Sequence, residues 1–223
     1  MIRRALFLLG LAGLAQAHEP ITTKLTWSQE ISRIVHKRCV SCHREGGQTP
    51  MSLVHYEEAR PWAKAIRDEV LERRMPPWGA VKGFGEFAND ASLSEVEIER
   101  IANWVEGGAP EGNPIYLPPA PDLSESKTAP VASRRLAVEG NLILNRDVVA
   151  VGIEPPKLAP GASVRASASR PDGSSEPLLW VRDYQPKWRR VYFFREPVKL
   201  PKGSEIQAAP AATLLIASSK RAR

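Results

Sequence analysis

Apolar residues recur at helical spacing in three stretches of the first 115 positions, and in short alternating runs beyond residue 130. From Ser28 to Cys39, Ile31, Ile34 and Val35 share one helical face. Thr26 with Gln29 forms a capping box at its start. Arg60 to Arg74 repeats the pattern with Ala63, Ile66, Val70 and Leu71. Pro61 is tolerated there because a first helical turn has no internal use for its N–H. The third helix is the clearest. Ser94 and Glu97 make a capping box, Ile98, Ile101, Ala102 and Val105 line one face, and Gly107-Gly108 stop it.

Strand-like runs follow at Leu142–Val151, Ala162–Ser169, Leu178–Val181 and Arg190–Phe194, then at Ile206 and Leu214–Ala217. Arg170-Pro171-Asp172-Gly173 and Leu200-Pro201-Lys202-Gly203 supply turn chemistry between them. The spacing predicts an antiparallel β-sandwich or half jelly-roll over residues 131–223. Leu117-Pro118-Pro119-Ala120-Pro121 opens an extended linker over 116–130. Charge divides at the same place, with a net −3 for residues 18–115 and +7 for 116–223. The expected class is α+β multidomain: an all-α domain at 18–115, the linker, and a β module at 131–223. Each part is long enough for its own core.

The first 17 residues read as a cleavable leader. Arg3 and Arg4 are the positive end, Ala5–Leu14 the apolar stretch, and Ala15-Gln16-Ala17 the small-x-small site. The apolar run is too short to span a bilayer. An extracytoplasmic, periplasmic protein beginning at His18 is the expectation.

The chemistry lies in Cys39-Val40-Ser41-Cys42-His43, which holds the only two cysteines of the 223-residue chain. C-x-x-C-H is the attachment signature of a covalently bound haem. The two thiols add to the haem vinyl groups, and His43 sits where it can take the proximal iron position. A thioredoxin-type pair would open a helix in a βαβ setting, which the flanks do not offer. Zinc would need a second ligand pair, and a plain disulfide would leave His43 without a role. The expected cofactor is one covalent haem c.

Met51 and Met75 are the thioether candidates for the sixth iron position. Met51 lies only 8 residues beyond His43 and follows Pro50, which places it on the proximal side. A carbonyl near Thr49-Pro50 there can accept the ring N–H. Met75, beyond a full helix and followed by Pro76-Pro77-Trp78, has the chain length to reach the distal face, in a loop held by two fixed φ angles. Met75 is the expected distal ligand, with His36 and His55 as the alternatives.

The stretches Val40-Ser41-Cys42-His43-Arg44, Pro50-Met51-Ser52-Leu53, Tyr56-Glu57-Glu58-Ala59-Arg60-Pro61-Trp62-Ala63, Arg74-Met75-Pro76-Pro77-Trp78 and Trp104-Val105-Glu106-Gly107-Gly108-Ala109-Pro110 resemble the cytochrome c modules of multidomain bacterial redox proteins. The resemblance covers most of residues 26–115. It implies a mono-haem, class I type domain and supports Met75 as distal ligand. Leu178–Tyr184, Trp188, Tyr192 and Glu196–Gly203 are similar, more weakly, to the last strands of copper type II, ascorbate-dependent monooxygenases. The second module, however, has no His, Cys or Met. It cannot build such a copper site from its own residues.

Trp180, Tyr184, Trp188, Tyr192, Phe193 and Phe194 are expected to pack as strand aromatics. The basic excess, including Lys187–Arg190 and Lys220–Arg223, is a surface that can meet an acidic redox partner or an anionic membrane face. Nucleic acid is not an expected partner of an exported chain. The reading is electron transfer to or from a periplasmic oxidoreductase. The alternative is a haem-bearing subunit or sensor of a monooxygenase-like assembly, with the β module as the partner-binding part.

Overall fold

The computed structural model of the protein describes residues 24–122, 132–186 and 189–217. The expected leader, most of the linker, Trp188 and the basic C-terminal run lie outside the described residues.

The helical stretches form near their expected places, but as short pieces. A π-helical turn, Trp27–Ile31, leads into α1 (Ser32–Arg38). The Thr26 hydroxyl accepts the Gln29 amide at 3.3 Å. Next come α2 (Tyr56–Ala59), a 3-10 turn at Arg60–Trp62, and α3 (Ala63–Leu71). The 12-residue α4 (Glu95–Glu106) has the expected capping box, with Ser94 accepting the Glu97 amide at 3.1 Å and Glu97 accepting the Ser94 amide at 2.7 Å. These helices share a core containing Trp27, Ile31, Val35, Ile98, Ile101 and Trp104. Arg38 donates through two nitrogens to the Glu97 carboxylate, both at 3.1 Å, tying α1 to α4. Burial pushes the Glu97 carboxyl up, but the Ser94 amide and the Arg38 guanidinium outweigh it and hold it below the usual range.

The rest is one six-stranded antiparallel sheet: β1 (Ala132–Ile143), β2 (Val148–Glu154), β3 (Val164–Ser169), β4 (Ser175–Val181), β5 (Tyr192–Leu200) and β6 (Glu205–Ala217). The order is β4-β3-β6-β2-β5, with β1 also paired to β6. β6 organises the sheet. β1 runs along it from end to end, while its other edge is shared between β3 at Glu205–Ala209 and β2 at Thr213–Ile216. The changeover spans Pro210, which has no N–H to give to a ladder. Forked in this way, the sheet curls into a half-barrel.

The expected class is therefore corrected. An all-α class I cytochrome c domain followed by a β-sandwich is not what forms: the helices are few and short, and the chain is mostly β. Residues 72–94 contain no helix. This segment crosses to the sheet instead. Ala80 bridges Val181 of β4, and Phe87 bridges Phe194 of β5. The Val81 amide donates to the Trp180 carbonyl at 2.7 Å, and the Ala88 amide to Phe193 at 2.8 Å. β4 and β5 are the two ends of the strand order, so one loop bridges both of these end strands, where N–H and C=O groups would otherwise face solvent. Gly85 lets the loop pass: its φ is +83°, and a Cβ there would lie 2.7 Å from the Leu178 carbonyl oxygen.

The second reason is the missing layer. A sandwich needs two facing sheets, and the described strands all belong to one. Its core is completed by Ala80 and Phe87 from the loop, with Trp78 packed against it. The Trp78 ring lies 4.9 Å from Tyr192 and 5.9 Å from Phe87, centre to centre. Tyr192 and Phe194 are buried, as strand aromatics should be, and so is Tyr184 beyond the end of β4. Trp180 is only half-buried, between Phe84 and the guanidinium groups of Arg165 and Arg182.

Candidate functional site

α1 ends at the cysteine pair. The Cys39 amide closes the helix onto Val35 at 2.8 Å, and the Cys42 and His43 amides both fold back onto the Cys39 carbonyl, at 3.1 and 2.9 Å. That tight turn brings three reactive side chains to one spot. Both thiols are free.

His43 is buried and its ring is oriented. Its Nδ1 lies 3.1 Å from the Thr49 hydroxyl, which is itself 3.1 Å from the Cys42 carbonyl and 3.3 Å from that of Met51. A hydroxyl has one proton to donate. If it goes to a carbonyl, the oxygen accepts from the ring and the imidazole proton sits on Nδ1. Nε2 then keeps its lone pair. Burial pulls the imidazole below its ordinary pKa range, against the opposing effect of the Met51 carbonyl, and so favours the neutral form a metal requires.

Cys39, Cys42, His43 and Met75 all line one cavity of about 420 Å³. Its walls are mostly apolar, with Leu53, Trp62, Ile66, Val70, Pro76 and Pro77 among them. This volume falls in the range of cofactor and ligand sites, roughly 300–1,000 Å³. Met51 lines it too. The structure thus brings together all four expected site residues.

The alternative ligands stand elsewhere. His36 is 2.9 Å from the Val54 carbonyl through Nε2 and edge-on to Trp27. His55 is exposed at the start of α2. Neither lines the cavity.

Two contributors were not legible in the spacing. The Met51 carbonyl, next to the expected Thr49-Pro50 position, does act on the His43 ring, but the Thr49 hydroxyl 3.1 Å from Nδ1 was not anticipated. Arg190, which precedes β5, lines the cavity as well. From sequence it was one of a surface basic run, and nothing but its place in the fold distinguishes it.

Burial, then Cys42 and Glu97, push the Cys39 thiol up to about 12 against the pull of Arg38. Such a thiol is protonated at neutral pH, the opposite of the depressed pKa that thiol–disulfide exchange uses. Among the described residues, no group of three or more His, Cys, Asp or Glu could hold a metal ion. Two thiols, one imidazole with Nε2 available and one thioether around an apolar cavity match the attachment and axial ligation of haem.

Comparison with protein-family models, with curated proteins and with solved structures found no match in any of the three.

Proposed function

We propose that this protein is an exported mono-haem c-type cytochrome that carries electrons to or from a periplasmic oxidoreductase. The observation that carries the reading is the single cavity walled by Cys39, Cys42, His43 and Met75. Bound there, haem iron supplies reversible one-electron exchange. Cys39 and Cys42 would hold the group through thioethers. His43, oriented by Thr49, offers Nε2 as the proximal ligand, and Met75 offers its thioether as the distal one. The apolar walls exclude water and favour the less charged, reduced state.

The reading rests on the site and not on the class I fold. It is supported by the leader-like N-terminal pattern at 1–17. Among the described residues, no helix is long and apolar enough to cross a membrane. The basic excess of residues 116–223 suits an acidic redox partner, whose encounter would weaken as salt screens exposed charge.

An electron carrier keeps both axial positions filled, whereas a haem enzyme opens one. The pure protein should therefore titrate as one one-electron couple, and its ferrous spectrum should not change under carbon monoxide. Stoichiometric carbon monoxide binding by the untreated protein would transfer the proposal to the enzyme or sensor class.

A further inference from the structure

The cavity has three charged side chains in its lining, and two of them are already neutralised. Arg38 forks onto Glu97. Glu69 receives two nitrogens of Arg74, at 2.9 and 3.0 Å. Arg190 is the third. Among the described residues no carboxylate pairs with it, and its Nε is buried with no hydrogen-bond partner. Its guanidinium instead lies 5.6 Å from the Trp78 ring centre. A desolvated, uncompensated guanidinium nitrogen is costly, so a native cavity that keeps one is matched to an anion. Guanidinium geometry in turn favours a carboxylate, which it can grip through two N–H groups.

The backbone beside Arg190 is held in place from the helical half. Asn89 donates to the Val191 carbonyl at 2.8 Å and accepts the Phe193 amide at 3.0 Å. The Ala88 amide reaches the Phe193 carbonyl at 2.8 Å. The loop between α3 and α4 therefore fixes the start of β5, and with it the cation. A group fixed before its ligand arrives loses little freedom on binding.

We propose that Arg190 is the counter-cation for a propionate carboxylate of the haem, so that the β half completes the cofactor site. The proposal rests on the haem reading above. It makes Arg190 a positioning residue that also tunes the reduction potential. A positive charge beside the cofactor disfavours the oxidised, more positive state, so its removal lowers the potential.

The test compares the holoprotein with Arg190→Gln, Arg190→Met and Arg190→Lys. The methionine keeps an unbranched apolar stem of similar length while removing the charge over Trp78, so an Arg190 that only fills space predicts no change in that variant. Loss of charge should shift the ferric–ferrous equilibrium about tenfold toward ferric, or 59 mV for one electron. Lysine, still a cation, should hold the potential within about threefold of the wild-type equilibrium. In the wild-type ferrous protein, nuclear Overhauser contacts should join the Arg190 guanidinium protons to the propionate methylenes. Absence of those contacts overturns the proposal, whatever the variants do. An outside carboxylate seated on Arg190 gives the same absence. Unchanged potentials in both neutral variants overturn it too. A protein that carries no haem refutes the underlying reading instead, and shows itself before any variant is made.

Discussion

A chain ending after residue 122 is expected to lose the cavity rather than to release an intact haem-binding half. Residues 75–91 supply Met75, Pro76, Pro77 and Ala91 to the cavity, yet they are held by β4 and β5. Truncation would strip the bridges at Ala80 and Phe87, the hydrogen bonds donated by the Val81 and Ala88 amides, and the Asn89 clasp on β5. It would also expose Phe87, now 5% accessible, together with Trp78. Burying a large side chain contributes about 2–3 kcal/mol, and a whole domain is stable by only about 5–15 kcal/mol. Losing two such contacts and the edge pairing is thus a large share of the total. Thermal unfolding followed by near-ultraviolet circular dichroism should show a cooperative transition for the full chain and none for the truncated one. A truncated chain that keeps that transition would mean the halves are independent, as the Pro-rich linker and the charge division imply when read alone.

Met75→Ala should have the second large effect, and a local one. With sulfur on the iron, the ferric protein should show a weak near-infrared sulfur-to-iron charge-transfer band. The variant should lose the band and bind carbon monoxide when reduced, because His36 and His55 are engaged or exposed elsewhere and do not line the cavity. Its potential should fall, since thioether ligation raises it. Met51→Ala is the control, because Met51 also lines the cavity. If Met51→Ala abolishes the band and Met75→Ala does not, the two loops have been assigned to the wrong faces.

What the sequence disclosed was local. The capping box at Ser94–Glu97 formed because both partners lie within one turn, where chain connectivity alone places them. The Cys-x-x-Cys-His spacing is local in the same sense, and the turn that gathers its side chains closes within five residues. What failed was long-range. Pro76-Pro77 and three glycines at 79, 83 and 85 mark the end of helix, but nothing in their spacing says that the segment will cover β4 and β5. β1 was missed because its residues are mostly exposed and include Arg134, Arg135 and Glu139, so no alternating apolar signal remains. The paired edges of β6 are likewise a property of the assembled sheet: a single strand's pattern cannot show that two different strands share one side of it. Arg190 belongs with these, a cation made distinctive only by the cavity it reaches.

The central claim is that Cys39 and Cys42 carry a haem, and intact-mass analysis of the exported protein tests it most directly. A single haem mass should be added to the chain and retained through denaturation and acid–acetone extraction. Cys39→Ala with Cys42→Ala should remove this mass. A wild-type chain that matures without added mass, or that gives up all its haem to the extraction, would contradict it.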